Sequence, residues 1–162
     1  MAVTTGGRVR TAPGTAAIAA LILVVAFGNP AYVDWANKNA SSDSAWGFFL
    51  KELAWPNWTF SSSQSVQDVL ANDIRAILLI VLAAVFVALL AGSQLADARG
   101  TGSQFLAGWA GYIFAGAFAG FLSAFILTHA SLLSAFGWAA SGAAYGLFVG
   151  WIVGFAVLGA RR

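Results

Sequence analysis

Across residues 76–92 no side chain carries a charge or a hydrogen-bonding group. A helix rises about 1.5 Å per residue, so this run covers most of the roughly 30 Å hydrocarbon core of a bilayer. Backbone N–H and C=O groups meet no water at that depth, which leaves helices and closed barrels as the only spanning structures. The run is aliphatic on every side and shows no period-two alternation, so it reads as a helix. Residues 14–28, 103–127 and 132–159 are similarly apolar. Composition points the same way: the chain is 60% hydrophobic and 9% charged, against roughly 25% charged in soluble domains. The expected fold is an all-α integral membrane protein, a bundle of about four transmembrane helices with a short amphipathic interfacial helix in the outer loop.

The segmentation expected is a cytoplasmic tail at 1–13, transmembrane helix 1 at 14–35, and an extracytoplasmic Trp-rich loop at 36–72. Transmembrane helix 2 follows at 73–95, a cytoplasmic loop at 96–102, and transmembrane helix 3 at 103–127. An outer turn at 128–131, transmembrane helix 4 at 132–159 and a cytoplasmic end at 160–162 complete it. The first span has the shortest apolar core, and Arg8 and Arg10 ahead of it resemble the start of a signal peptide. No small-x-small cleavage site follows at the right distance, so a retained anchor is expected.

Orientation follows from basic residues, which accumulate in short cytoplasmic segments. Arg8, Arg10, Arg99, Arg161 and Arg162 all fall on one side if both termini are cytoplasmic; Lys38, Lys51 and Arg75 then lie outside. The expected location is the cell membrane, with several passes. The net charge of +2 leaves no basic footprint for nucleic acid. Short connections around 97–102 and 128–131 make helices 2, 3 and 4 antiparallel neighbours.

The outer loop is rich in tryptophan. Trp46, Phe49, Leu50 and Leu53 recur at helical spacing, with Asp43 or Ser44 able to cap the start and Pro56 ending the run. Trp46, Phe49, Leu53, Trp55, Trp58 and Arg75 are the candidate interfacial or partner-docking residues. The plain alternative is an aromatic belt that seats the protein at the headgroups; a lid over a substrate is a third reading. Arg75, at the start of helix 2, is expected to snorkel to headgroups as an anchor, with pairing to a partner or substrate as the alternative. Ser65-x-x-Asp68 resembles a capping box with Asp in place of Glu.

The sharpest pattern is glycine at every fourth position: Gly142, Gly146, Gly150 and Gly154 in helix 4, answered by Gly116, Gly120 and Ser123 in helix 3. Steps of four keep these residues on one winding stripe. In lipid, helices associate through close backbone approach, so such stripes are expected to be helix-packing surfaces. Helix 3 against helix 4 in one chain, an interface between chains, and a glycine-lined solute path are the three candidate uses. Helix 2, bulky throughout, is expected to face lipid or a loosely packed subunit.

Reactive groups are sparse. The chain has no cysteine, one histidine (His129) and one methionine (Met1). That removes thiolate chemistry and thiolate metal sites. Only His129 offers an imidazole base. A metal site would need Asp34, Asp43 or Glu52 to converge on His129. No Gly-rich loop precedes a Lys-Ser/Thr pair to cradle phosphate. The central part of each span lacks ionisable residues, which argues against a proton relay or an ion-coupled transporter.

The expectation is therefore a chain with no catalytic, cofactor or metal residues that is not an enzyme. Its partners would be the lipid bilayer and either other membrane subunits or a second copy of itself. The leading role is a non-catalytic subunit or scaffold; a small homo-oligomeric channel or carrier for a neutral solute, and a receptor-like module for an external protein, are the alternatives. The layout, a long first outer loop and a tiny second one, resembles that of tetraspan scaffolding proteins, a likeness of topology that carries no function.

Overall fold

The computed structural model describes residues 11–59, 65–92, 100–126 and 131–160. The described residues form helices α1 (Ala12–Phe27), α2 (Pro30–Asn39), α3 (Ala45–Leu53), α4 (Val66–Gly92), α5 (Thr101–Ser123) and α6 (Leu132–Gly159), with a 3₁₀ turn at Ala124–Ile126 extending α5. There is no strand among them. The arginines used for orientation (Arg8, Arg10, Arg99, Arg161 and Arg162) lie outside the described residues, as do His129 and most of the turns at 96–102 and 128–131.

α4, α5 and α6 are each long and apolar enough to cross a membrane. The first expected span differs. In place of one helix over 14–35, α1 stops at Phe27 and α2 leaves it at 63°. The cause is local. Pro30 has no N–H to continue the helical ladder and disfavours helical backbone at the residue before it. Asn29 accordingly sits extended, at φ −71° and ψ 150°. Its side chain serves both helices: Nδ2 donates to the free carbonyls of Val25 and Ala26 at 3.2 and 2.7 Å, and Oδ1 accepts from Tyr32 N at 3.0 Å. Only α1 with α2 counted together would make a fourth span.

Other helix ends also follow from sequence. Ser44 caps α3 by accepting from Gly47 N at 3.0 Å. At the start of α4, Ser65 Oγ accepts from Asp68 N at 3.2 Å and donates to the Asp68 carboxylate at 2.7 Å.

The four long helices form a ring. α5 packs on α6 along most of its length and on α4 along its other side, and α1 closes the ring against α4 and α6. Partners across the α5–α6 seam run in opposite senses: Gly108 meets Gly154, Ile113 meets Gly146, Gly116 meets Gly142 and Gly120 meets Trp138. The pair is therefore antiparallel. The expectation for helix 2 needs correction here. α4 is not a loosely held lipid-facing helix, because Leu79, Ala83 and Val87 are completely buried in the ring. Gly111 permits the approach; a Cβ there would lie 2.8 Å from Val87 Cγ2 and 3.1 Å from the Val87 backbone nitrogen. The opposite face of α4, with Ile77, Val81, Val85 and Leu89, is exposed, as expected of a helix with lipid on its outer side.

At the centre, Tyr112 on α5 and Tyr145 on α6 are both fully buried, and their hydroxyls are hydrogen-bonded at 2.9 Å. One hydroxyl donates and the other accepts, so each gains a partner in the absence of water. Truncating one strands its partner, which costs about 1–3 kcal/mol. Removing both hydroxyls leaves a purely apolar contact. Tyr112→Phe and Tyr145→Phe are expected to lower the unfolding midpoint in detergent, and the double variant to fall by less than the two shifts added together. Additive shifts would contradict the hydroxyl pair.

Candidate functional site

The end of the bundle that carries α2 and α3 holds an unusual polar cluster, built by the segment that follows α3. Pro56 is fully buried, and the chain around it is tied to the end of α1. Trp58 N donates to Gly28 O at 3.0 Å, and Trp58 Nε1 donates to Val24 O at 3.1 Å. A side chain at Gly28 would collide with the Pro56 carbonyl, so glycine is needed for this close approach.

Trp55, fixed by that segment, inserts between the helices. Its Nε1 donates to Ser141 Oγ on α6 at 2.8 Å. Its ring stacks on Tyr145, with centroids 5.0 Å apart and 19° between planes. The indole edge occupies the gap left by Gly142, where a Cβ would come within 3.0 Å of it. The glycine stripe thus does two jobs: it seats α5 and admits an aromatic ring from the cap.

Arg75, on α4, also lies against Trp55. The guanidinium carbon is 4.7 Å from the Trp55 ring centroid and 4.9 Å from that of Trp138 on α6. The residue is only 7% exposed. Its side chain does not snorkel outward as an anchor's would, because it is packed between the rings of Trp55 and Trp138. One Nη donates to Asn57 Oδ1, while Nε is buried with no hydrogen-bond partner. Asp73, two residues earlier, accepts from Thr59 N at 3.1 Å. No carboxylate among the described residues is paired with Arg75. Two indole faces, worth about 2 kcal/mol each when desolvated, hold this buried cation in place.

A cleft of about 470 Å³ opens beside it, lined by Val33 and Asn37 of α2, Phe48, Lys51 and Glu52 of α3, and Arg75. Lys51 Nζ donates to Ser42 Oγ at 2.8 Å. Partial burial raises the Glu52 carboxyl above its ordinary range, since desolvation disfavours the charged form.

The other expected site residues divide into three groups. Trp46 alone stays prominently outside, 68% exposed and stacked on Phe49 at 5.8 Å. Phe49 and Trp58 are half-buried against the core, and Leu53 is buried in it. Gly116, Gly120, Gly142, Gly146, Gly150 and Gly154 are all buried between α5 and α6, and Ser123 is buried as well. Gly142 and Gly116 face each other's backbone, Gly146 faces Ile113 Cα, and Gly150 and Gly154 face the rings of Tyr112, Trp109 and Phe105. Ser123 Oγ donates to Gly120 O at 3.1 Å, within its own helix.

Several residues of the site escaped sequence reasoning: Trp138, Ser141, Tyr145, Tyr112 and Asn57. Asn57 opens one of the chain's two Asn-x-Ser/Thr triplets, the other beginning at Asn39, but its carbonyl is used internally by Arg75. Arg75 carried a signal as an ionisable residue at the edge of an apolar run, Trp55 and Trp58 as members of the Trp-rich loop, and Gly142 as part of the glycine ladder. Among the described residues no group of three or more His, Asp or Glu is placed to hold a metal. No family model, curated protein or solved structure matches this chain.

Proposed function

We propose that this chain is a non-catalytic integral membrane protein that serves as a subunit or scaffold of a larger membrane assembly, docking a partner through its tryptophan-bearing cap. The observation that carries the reading is the contrast within α3. Leu53, Phe49 and the following Trp55 are tied into the bundle, while Trp46 on the same short helix stays 68% exposed. A large aromatic presented on a rigid support is the kind of residue that dominates interface energetics. The glycine stripes favour this reading over a solute carrier, since α5 and α6 are already in contact along them. Placement in the cell membrane with both termini cytoplasmic belongs to the same proposal and rests on the basic residues of the sequence.

The test is mild-detergent extraction followed by mass analysis of co-purifying chains. A stoichiometric membrane partner is expected, and Trp46→Ser is expected to reduce its recovery by about tenfold without changing the unfolding midpoint. A chain that comes away alone, or a partner indifferent to Trp46, overturns the reading.

A further inference from the structure

Arg75 is a buried cation whose surroundings leave its donor groups unfinished. Trp55 and Trp138 engage the face of the guanidinium, which leaves the in-plane N–H groups for an acceptor. Only one acceptor is present among the described residues, the neutral amide oxygen of Asn57, and Nε has none. An uncompensated buried charge is costly, and a charge-assisted bond to an oxyanion is the strongest way to satisfy it.

The space for such a group is there. The cleft beside Arg75 has a volume of about 470 Å³, well within the range of small-ligand sites. Its ionisable lining consists of Lys51 and Glu52 from α3 and Arg75 from α4. Two cations and one carboxylate leave a net +1 with Glu52 ionised. Among the described residues the Lys51 ammonium is held by a single hydroxyl, that of Ser42, which leaves two of its three donors for a further acceptor. Val33 and Phe48 add an apolar wall.

Depth narrows the chemistry. Arg75 stands immediately before the uncharged stretch of α4, residues 76–92. At about 1.5 Å per residue that stretch covers about 26 Å, close to the thickness of a hydrocarbon core. If that stretch fills the core, position 75 falls at its edge, beside the phosphate headgroups.

We propose that this cleft binds a phosphate-bearing anion, with Arg75 and Lys51 on the phosphate oxygens and Val33 and Phe48 against the group attached to it. Either an anionic phospholipid or a soluble phosphate ester presents that chemistry. The site does not depend on whether the chain has partner subunits.

Trp55 and Trp138 make the site self-reporting. The full chain in nonionic detergent is titrated with dihexanoyl phosphatidylglycerol and, separately, with glycerol 3-phosphate, while tryptophan fluorescence is followed. A saturable change is expected, weakened about tenfold by Arg75→Gln and about threefold by Lys51→Gln. A response to the lipid alone identifies a bilayer headgroup; an equal response to glycerol 3-phosphate identifies a soluble ester. Lys51→Gln keeps the test valid should Arg75→Gln fail to fold, because Lys51 is a half-buried residue of α3 bonded, among the described residues, only to Ser42. The proposal is overturned if neither ligand gives a saturable change. It is equally overturned if dihexanoyl phosphatidylcholine binds as tightly as phosphatidylglycerol, or if Lys51→Gln binds like the parent chain.

Discussion

Gly142→Ala is expected to disrupt the bundle, while Gly137→Ala, on the same helix, leaves it intact. A Cβ at Gly142 would overlap the Gly116 carbonyl and press on the Trp55 ring; a Cβ at Gly137 meets nothing within 4 Å. Because the obstacle at Gly142 is backbone, no side-chain rotation relieves it. The two helix axes must separate, and the loss is expected to reach about 3 kcal/mol, the upper end of overpacking effects. The series should be graded. Gly146→Ala is also severe, since its nearest neighbour is Ile113 Cα at 2.5 Å. Gly150→Ala is milder, because it meets only side-chain atoms, of the Trp109 and Tyr112 rings at 3.0 and 3.2 Å and Tyr112 Cβ at 3.3 Å, rather than backbone. Unfolding midpoints in detergent, followed by circular dichroism, check the order. Equal midpoints for Gly142→Ala and Gly137→Ala would contradict the antiparallel α5–α6 seam.

Trp55→Ala is expected to be the most damaging change in the cap. It removes the stack on Tyr145, the hydrogen bond to Ser141 and one of the two rings against Arg75. Trp55 is half-buried, so the loss is expected near the lower end of the about 3–5 kcal/mol for truncating a buried aromatic, and the guanidinium is left less compensated than before. Trp55→Phe separates the parts. It keeps a ring against Tyr145 and Arg75 but loses the N–H, so a loss of about 1 kcal/mol is expected. Ser141→Ala should then add little on top of Trp55→Phe, since both delete one bond. Trp46→Ala, at an exposed position, is expected to stay within about 0.5 kcal/mol of the parent chain. If Trp55→Ala and Trp46→Ala shift the midpoint equally, the cap is not part of the folded bundle.

Both variants bear on how cap and bundle are joined. The polar line from Arg75 through Trp55 to Tyr145 and Tyr112 links α4, the segment after α3, α6 and α5. An occupant of the cleft would touch the first member of that line. This is a reason to record Trp46-dependent partner recovery with and without the phosphate probe.

Much of the local architecture was legible in the amino-acid order. Long uncharged runs imply helices that tolerate lipid, because backbone polarity has no other outlet there. Ser44 and Ser65 announce helix starts through short hydroxyl side chains that reach the first free N–H groups. Asn29-Pro30 contains the break between α1 and α2, yet an apolar run on one side and Tyr32 to Trp35 on the other disguised it as one span. The ladder of glycines announced a close contact as well. What it could not announce was the direction of that contact, since a missing side chain removes an obstacle without selecting what approaches.

That selection belongs to the tertiary structure. Only the assembled ring shows that α5 lies along the stripe, that Trp55 enters at Gly142, and that α4 is buried on one side. Only there does Arg75 change from a residue at the edge of an apolar run into a buried cation between two indoles. Period and apolar length are properties of neighbours along the chain, so order alone determines the helices and their tolerance of lipid. Burial of a charge and the pairing of Tyr112 with Tyr145 depend on groups brought together from distant parts of the chain, and packing alone decides them.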